Sequence, residues 1–274
     1  MYLGISSSLE HSSPFEWAEK QRALGLRSVV FPVDYTAGEE TVEAYRKSAE
    51  KAGLVIAEVG VWRNTLAGDP SEREKWTEYA IGQLKMADRI GARCCVNVVG
   101  TPYGPRWDGG YRGNFSNELW NLAVDKIREI IDAVNPARTK FSVETMPWMI
   151  PSGPDEYLQL LADVSRSGFG VHLDVVNMIN NPERYFFNDR FLDECFGKLK
   201  GGILSCHLKD VVLRDEYTFQ LMECACGEGT LDINRYISLA SEEDPQMPMI
   251  IEHLDSDSEY VRSVEYVLEQ LSNQ

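Results

Sequence analysis

The sequence predicts a single (β/α)₈ barrel, in which eight parallel strands alternate with eight helices. Three observations predict this fold: eight short β-branched runs, a stretch with helical spacing after each run, and a length of 274 residues. A single barrel of this class commonly has about 250 residues. An open doubly wound sheet is the alternative, but no G-x-G-x-x-G run follows the first strand to support its dinucleotide-binding form. We therefore expect residues 1–274 to form one domain.

The predicted elements follow one another in a regular rhythm. The strands are expected at 2–6, 28–33, 54–60, 92–99, 140–145, 169–174, 202–207 and 249–253. The helices are expected at about 13–25, 38–52, 70–90, 115–134, 154–166, 189–199, 231–241 and 257–271. Ser13, Asp69 and Ser256 each have a glutamate three residues later, which is the arrangement of a capping box at a helix start.

Composition and charge exclude several classes of partner. The formal net charge is −16, with 43 acidic and 27 basic residues, so neither nucleic acid nor an anionic membrane surface is an expected partner. No apolar run reaches the roughly 18 residues of a membrane-spanning helix. The chain enters a strand pattern at once without the basic region of a signal peptide, and its six cysteines are too few for a disulfide scaffold. We expect a cytoplasmic protein.

Four consecutive predicted strands end in side chains that can bind a metal. They are Glu144, Asp174, His207 and Glu252, spaced about one βα unit apart. Because the carboxyl ends of barrel strands meet at one rim, these side chains should converge. A single strand-end carboxylate often caps the next helix, but four such groups at one rim favour a shared cation. Three carboxylates and one imidazole suit one divalent ion, Mn²⁺ foremost, with Mg²⁺ or Co²⁺ as alternatives.

The same residues carry a resemblance to a known family. Glu144 and Asp174, the H-L-K-D run at 207–210, the G-E-G-T-L-D run at 227–232 and Glu252 resemble the xylose isomerase-like TIM-barrel superfamily. They are most similar to its sugar (phosphate) isomerase/epimerase branch, which includes the ketose 3-epimerases. The resemblance implies that Glu144, Asp174, His207 and Glu252 bind one divalent metal. It also implies that Glu144 and Glu252 face each other across the sugar as acid and base.

The implied reaction is removal of a proton next to a sugar carbonyl. A divalent metal stabilises the resulting enediolate as a Lewis acid, and the second carboxylate returns a proton from the opposite face. The resemblance therefore implies a metal-dependent sugar isomerase or epimerase. A dehydratase or lyase acting on a keto-sugar, keto-inositol or 3-keto-glycoside is the alternative, because it would use the same metal site and the same first step.

The sequence departs from the ketose 3-epimerases at one position. Those enzymes carry a histidine three residues after the metal aspartate, where this chain has Asn177. Asparagine can hydrogen-bond a sugar hydroxyl but cannot titrate, which shifts the expectation from free ketoses toward oxidised glycosides or keto-inositols. The arginine that the epimerases place after the metal histidine has two candidate counterparts, Lys209 and Arg214. Lys209 is the better match because it lies two residues past His207.

Aromatic residues in the loops after the strands are expected to bind the substrate. The glycine- and proline-rich segment 100–114 should overhang the rim as a lid that includes Tyr103, with a surface loop or a subunit contact as the alternative. Trp62, just past the third strand, and Trp148, four residues after Glu144, should form walls of the pocket.

Three further polar residues lie near the predicted site. His172 shares the face of Asp174 one layer deeper and is expected to be a hydrogen-bonded core residue. Glu58, on the third strand, could either enter the pocket or make an interior contact. His253 follows Glu252 and, by strand alternation, should point to the opposite face in a structural role.

The expected partner is a small-molecule carbohydrate, without a phosphate because no cluster of basic residues follows a strand. A homo-oligomer, dimer or tetramer, is compatible with the fold. A non-catalytic carbohydrate-binding barrel is a more remote alternative. The apurinic endonucleases of the same superfamily need many histidines and a basic groove, whereas this chain has four histidines and a net charge of −16.

Overall fold

Eight short parallel strands form a barrel, and the computed structural model describes residues 1–272 around it. The strands are β1 (Tyr2–Ile5), β2 (Ser28–Val30), β3 (Val55–Gly60), β4 (Cys94–Asn97), β5 (Lys140–Glu144), β6 (Phe169–Asp174), β7 (Ile203–Leu208) and β10 (Pro248–Ile251), with β8 (Asp210–Leu213) and β9 (Leu221–Cys224) forming a separate hairpin. Their order is β1-β10-β7-β6-β5-β4-β3-β2, and all seven pairs are parallel. The N–H of Arg27 donates to Leu3 O at 2.9 Å, which joins the two outer strands. The predicted single (β/α)₈ barrel is confirmed.

Helices follow the strands and cover the outside of the barrel. They are α1 (Pro14–Ala23), α2 (Glu39–Lys51), α3 (Pro70–Ile90), α4 (Asn117–Val134), α5 (Pro154–Val164), α6 (Val175–Met178), α7 (Pro182–Phe186), α8 (Asn188–Leu199), α9 (Ile233–Glu243) and α10 (Asp257–Ser272). Ser13, Asp69 and Ser256 accept hydrogen bonds from the backbone N–H groups of the first helical turns, as the capping pattern predicts. Within residues 1–272, no helix combines the length and apolar character needed to cross a bilayer.

Two tyrosines connect the helix layer to the strands that carry the predicted site. Tyr157 of α5 is fully buried and donates its hydroxyl proton to Val143 O of β5 at 2.6 Å. Tyr236 of α9 is equally buried, and its hydroxyl lies 3.0 Å from His207 O of β7. Because a buried hydroxyl needs a partner, these contacts fix the strand ends against the helices.

The structure differs from the sequence prediction after β7. No element is predicted between His207 and the helix at 231–241, but β8 and β9 pair there as an antiparallel hairpin. Both runs are largely apolar, but Met222 and Glu223 of β9 are exposed, so the hairpin lacks the fully buried pattern of a barrel strand. The single predicted helix at 189–199 is preceded by the two short helices α6 and α7.

Asp210 anchors the loop that follows this hairpin. Its buried carboxylate accepts hydrogen bonds from four backbone N–H groups, those of Val211 (2.8 Å), Gly227 (3.1 Å), Gly229 (3.0 Å) and Leu231 (2.9 Å). A Cβ atom at Gly229 would collide with this carboxylate. The aspartate of the H-L-K-D run and the glycines of the G-E-G-T-L-D run therefore form one structural unit.

Replacement of this carboxylate should destabilise the fold. We expect Asp210→Ala to lower the free energy of unfolding by about 3 kcal/mol, because buried N–H groups lose a charged acceptor. Gly229→Ala should also destabilise the protein, because its methyl group displaces the same carboxylate. Urea denaturation followed by circular dichroism measures both values. An unfolding free energy for Asp210→Ala equal to that of the wild type would contradict this assignment.

Candidate active site

The four predicted metal-binding side chains meet at the carboxyl-terminal rim of the barrel. Glu144 ends β5, Asp174 ends β6, His207 lies on β7, and Glu252 follows β10 directly. All four are buried, and one potential ligand atom from each lies within 4.8 Å of the others. His207 Nδ1 lies 3.0 Å from Glu252 Oε2, 3.2 Å from Glu144 Oε1 and 3.8 Å from Asp174 Oδ2. We call these four residues the quartet.

The quartet fits a divalent cation. Asp174 Oδ2 is fully buried and accepts no hydrogen bond, and the nearest cation, Lys209 Nζ, lies 2.8 Å away as an ion pair. Lys209 gives Asp174 Oδ2 a charged partner on one side, and a metal ion between the four groups would balance the three carboxylates further. Three carboxylates and one imidazole nitrogen form an oxygen-rich donor set of the type that Mn²⁺, Mg²⁺ and Co²⁺ accept.

Glu58 orients the imidazole of the quartet from inside the barrel. Its buried carboxylate lies 3.2 Å from His207 Nε2, 3.0 Å from His172 Nε2 and 2.5 Å from the Ser205 hydroxyl. Burial alone would raise the pKa of Glu58, but the charges of His207 and His172 lower it below its ordinary value. An ionised Glu58 accepts the Nε2 proton of His207, which directs Nδ1 toward the other three ligands. The sequence left two expectations for Glu58, an interior contact or a place in the pocket. The structure shows both, because Glu58 makes the interior contacts above and also lines the cavity.

The histidine beside Glu58 behaves as the sequence predicts. His172 is fully buried, lies one layer below Asp174 and donates to Glu58, and its ring packs edge-on against His207 at 4.2 Å between centroids. His172 is therefore a hydrogen-bonded core residue and no member of the quartet.

A second layer of charge lies above the quartet. Lys209 is 1% exposed, and its Nζ lies 2.7 Å from Glu252 Oε1 and 3.1 Å from Glu223 Oε1, in addition to its pair with Asp174. Burial lowers the pKa of Lys209, but Asp174, Glu252 and Glu223 together raise it well above its ordinary value. The ammonium group is therefore charged and partly neutralises the surrounding carboxylates.

His253 was expected on the opposite face, and that expectation is wrong. Its Nδ1 lies 2.8 Å from Glu223 Oε2 and 3.2 Å from Lys209 Nζ, and the residue lines the cavity. The cause is a backbone φ of +58° at His253, which places the residue in the left-handed region and ends strand alternation just after Glu252. The contact with Glu223 raises the pKa of His253 above its ordinary value.

The two glutamates of the quartet have opposite pKa shifts. Burial raises the pKa of Glu144, and although the charge of His207 opposes this effect, the nearby Glu252 adds to it. Burial would raise the pKa of Glu252 as well, but the charges of His207 and Lys209 lower it to about 2. The two carboxyl groups therefore lie in different electrostatic surroundings, since Lys209 Nζ pairs with Glu252 at 2.7 Å and Asn177 Nδ2 donates to Glu144 at 3.0 Å.

Asn177 contacts Glu144. Its Nδ2 donates to Glu144 Oε1 and to Thr145 O, both at 3.0 Å, and its own backbone N–H donates to Asp174 Oδ1 at 3.0 Å. Asn177 also lines the cavity. The amide thus holds Glu144 in place from the position where the ketose 3-epimerases have a histidine.

The quartet opens into a cavity of about 960 Å³ with aromatic walls. Trp62, Trp107 and Trp148 line it, and the Trp62 ring lies 6.3 Å from the His207 ring at an angle of 34°. Trp62 has a φ of +49°, and its indole passes so close to Gly60 that a Cβ there would collide with the ring. A large cavity with a few convergent polar groups is typical of a small-molecule site.

Two of the predicted substrate-binding residues lie outside this cavity. Arg214 is at the tip of the β8–β9 hairpin, where its guanidinium pairs with Glu216 at 3.1 Å and is half exposed. Tyr103 packs against Gly113 and the hydrophobic core below the 100–114 loop. The structure brings Lys209, Asn177, Trp62 and Trp148 to the quartet or its cavity, while the loop reaches the cavity through Arg106, Trp107 and Asp108.

Sequence reasoning missed Glu223 entirely. This residue lies on β9 and reaches the site only because the hairpin folds back over β7 and β10. A signal was present, since two short runs of mostly apolar residues, 211–213 and 219–222, flank a D-E-Y-T segment, which is typical of a hairpin.

Comparisons with known proteins agree with this fold. Residues 18–270 match the family model of the xylose isomerase-like TIM barrel. No curated protein is significantly similar to the chain in sequence. Among solved structures, the probable 3-DHS dehydratase AsbF from Bacillus anthracis superimposes with a TM-score of 0.75 at 15% identity, covering 100% of both chains.

Two further structures are similar. D-psicose 3-epimerase from Clostridium cellulolyticum, solved with D-tagatose, has a TM-score of 0.71 at 12% identity, covering 98% of this chain and 97% of that chain. A xylose isomerase-like TIM barrel protein from Mycobacterium smegmatis, solved with magnesium, has a TM-score of 0.69 at 20% identity, covering 96% and 90%. Fold, rim geometry and family model agree, and the chain belongs to the xylose isomerase-like TIM barrel family.

Proposed function

We propose that this protein is a metal-dependent isomerase or epimerase of a carbonyl-bearing sugar. The observation that carries the proposal is the pair Glu144 and Glu252, which share one buried quartet, line one cavity and have opposite pKa shifts. Its similarity in fold to a D-psicose 3-epimerase supports the same class of reaction.

The quartet would hold one divalent ion, for which Mn²⁺ is our first choice. Such an ion, when bound, supplies Lewis-acid stabilisation of negative charge on the oxygens of the substrate. The chain contributes the orientation of the ligands, through Glu58 on His207 and Asn177 on Glu144. Lys209 supplies a fixed positive charge beside Asp174 and Glu252.

We assign different roles to the two glutamates. Glu252, whose carboxylate is held by Lys209 Nζ at 2.7 Å, would accept the proton from the carbon next to the carbonyl. Glu144, whose pKa is raised, is suited to return a proton from the other side of the sugar. A proton taken from one face and returned to the other inverts the carbon, which is epimerisation.

The cavity favours an uncharged sugar. Lys209 is committed to three carboxylates, and the guanidinium of Arg106 is paired with Asp108 at 2.7 Å. A phosphate group would therefore have to compete with a carboxylate for either cation. Trp62 and Trp148 instead offer ring faces against which the apolar C–H groups of a pyranose can pack.

A specific observation also favours elimination as a second candidate. The Glu223–His253 pair lies beside Glu252 at the cavity wall, where an imidazole could donate a proton to a departing hydroxyl group. A dehydratase would use the same quartet and the same first proton transfer. The similarity in fold to the probable dehydratase from Bacillus anthracis agrees with this candidate.

Removal of either glutamate's acid–base function should abolish exchange of the substrate proton. The protein is loaded with Mn²⁺ and incubated in D₂O with ketoses, keto-inositols and 3-keto-glycosides, and deuterium incorporation is followed by NMR. We expect Glu144→Gln and Glu252→Gln each to lower the exchange rate by about 10²- to 10⁴-fold. Glu78→Gln, on the exposed surface of α3, is the matched control.

The products of the same incubation separate the two candidate functions. An epimer or isomer of unchanged mass supports the first candidate, and loss of one water molecule supports the second. Rates near the wild-type value in either quartet variant would remove that glutamate from proton transfer. Absence of exchange with every sugar in the panel would contradict the proposed function.

Loss of the charge on Glu58 should weaken metal binding although this residue is no ligand. We expect Glu58→Gln to bind Mn²⁺ about 10- to 100-fold more weakly, because His207 loses the carboxylate that fixes its orientation. Isothermal titration calorimetry measures the dissociation constant, again with Glu78→Gln as control. A thermal unfolding scan establishes that the variant is folded, and unchanged affinity in a folded variant would contradict the assigned role.

A further inference from the structure

The β8–β9 hairpin forms one wall of the cavity above the quartet. Phe219, Leu221, Met222 and Glu223 all line this cavity, and Met222 is exposed. The hairpin begins three residues after His207, so it rises directly from the strand that carries the histidine of the quartet. A displacement of the hairpin would therefore change both the shape of the cavity and the access of solvent to the quartet.

The two strands of the hairpin are attached to the rest of the protein in different ways. On β8, the N–H of Leu213 donates to the Tyr185 hydroxyl at 3.0 Å, and Val211 O accepts from the N–H of Thr230 at 3.0 Å. On β9, in the part of the chain that the structure describes, the hydrogen bonds and ion pairs to residues outside the hairpin all come from Glu223. The polar attachment of β9 therefore depends on one carboxylate.

Glu223 contacts two side chains at the rim of the barrel. Its Oε1 lies 3.1 Å from Lys209 Nζ, and its Oε2 lies 2.8 Å from His253 Nδ1. Burial would raise the pKa of Glu223, but the hydrogen bond with His253 and the charge of Lys209 lower it below its ordinary value. The carboxylate is therefore ionised, and it joins the hairpin to the rim through a charged contact.

Lys209 is shared between the hairpin and the quartet. Besides its contact with Glu223, its Nζ lies 2.8 Å from Asp174 Oδ2 and 2.7 Å from Glu252 Oε1. With a divalent ion at the quartet, Lys209 would share Asp174 and Glu252 with a second cation and would be repelled by it. Glu223 would then be the one carboxylate partner of Lys209 that the quartet does not contain, so the pair between these two residues should tighten.

We propose that Glu223 is a positioning residue, whose ion pair with Lys209 holds β9 over the quartet and strengthens when the quartet binds a divalent cation. This inference rests on the cation site of the proposed function and is independent of the reaction that follows. Because a coupling between two sites is reciprocal, Glu223 also strengthens the binding of the cation. The hairpin wall of the cavity is therefore held most firmly when the cation is present.

Hydrogen–deuterium exchange of the backbone tests this coupling. Mass spectrometry follows a peptide that contains β9, with and without Mn²⁺. We expect Mn²⁺ to slow its exchange about tenfold in the wild-type protein, a size typical of coupled sites, and to have no such effect in Glu223→Gln. By reciprocity, calorimetry should give a dissociation constant for Mn²⁺ about tenfold higher in Glu223→Gln than in the wild type.

Glu216→Gln is the matched control for the loss of a carboxylate from the hairpin. Glu216 lies at the tip of the hairpin, where it pairs with Arg214 at 3.1 Å. This variant should behave as the wild type in both measurements. A thermal unfolding scan establishes that both variants are folded, and the comparison of wild-type protein with and without Mn²⁺ requires no variant.

The outcomes separate this coupling from the proposed function. Binding of Mn²⁺ without slower exchange of β9 in the wild type, or equal slowing in Glu223→Gln, would overturn the coupling and leave the cation site in place. Weaker binding of Mn²⁺ by Glu223→Gln without any response of β9 would overturn it too, because the charge alone would account for that result. Absence of Mn²⁺ binding would overturn both the coupling and the proposed cation site.

Discussion

The repulsion among carboxylates at one end of the barrel is the constraint on which the rest of the site depends. Glu58, Glu144, Asp174, Glu223 and Glu252 meet there, four of them buried. An unpaired buried charge costs several kcal/mol, so each must have a cationic or hydrogen-bonding partner. Lys209 and the two buried histidines are placed between the carboxylates for that purpose, and a divalent ion would add to the same balance. The positions of the four candidate metal ligands follow from this alternation of carboxylates with Lys209 and the histidines.

Each residue of the H-L-K-D run has a separate task in that arrangement. His207 points into the barrel and joins the quartet, Lys209 neutralises two quartet carboxylates from above, and Asp210 turns away to hold the loop at Gly227–Leu231. Alternation along a strand sends the first and third residues of the run to one face, so a candidate ligand and its neutralising cation are two residues apart in sequence. The short run thus connects the charge of the site to the stability of the loop beside it.

The barrel and the quartet could be predicted from the sequence because both depend on regular spacing. Parallel strands bring their carboxyl ends to one rim, so four strand-end residues predict a cluster without further information. The role of Glu58 could not be derived this way, since its contact with His207 depends on the register across the barrel interior. His253 was misplaced because alternation fails where the backbone turns left-handed, and Glu223 because it comes from an added hairpin.

The left-handed backbone at Trp62 and His253 has a consequence for the evolution of this barrel. A non-glycine residue in that region costs roughly 1–2 kcal/mol, and neither position is a helix cap that would offset the cost. Glycine would relieve it at both positions and would delete the ring. Under the proposed function, selection for thermal robustness and selection for contact with a ligand would therefore act in opposite directions at these two residues.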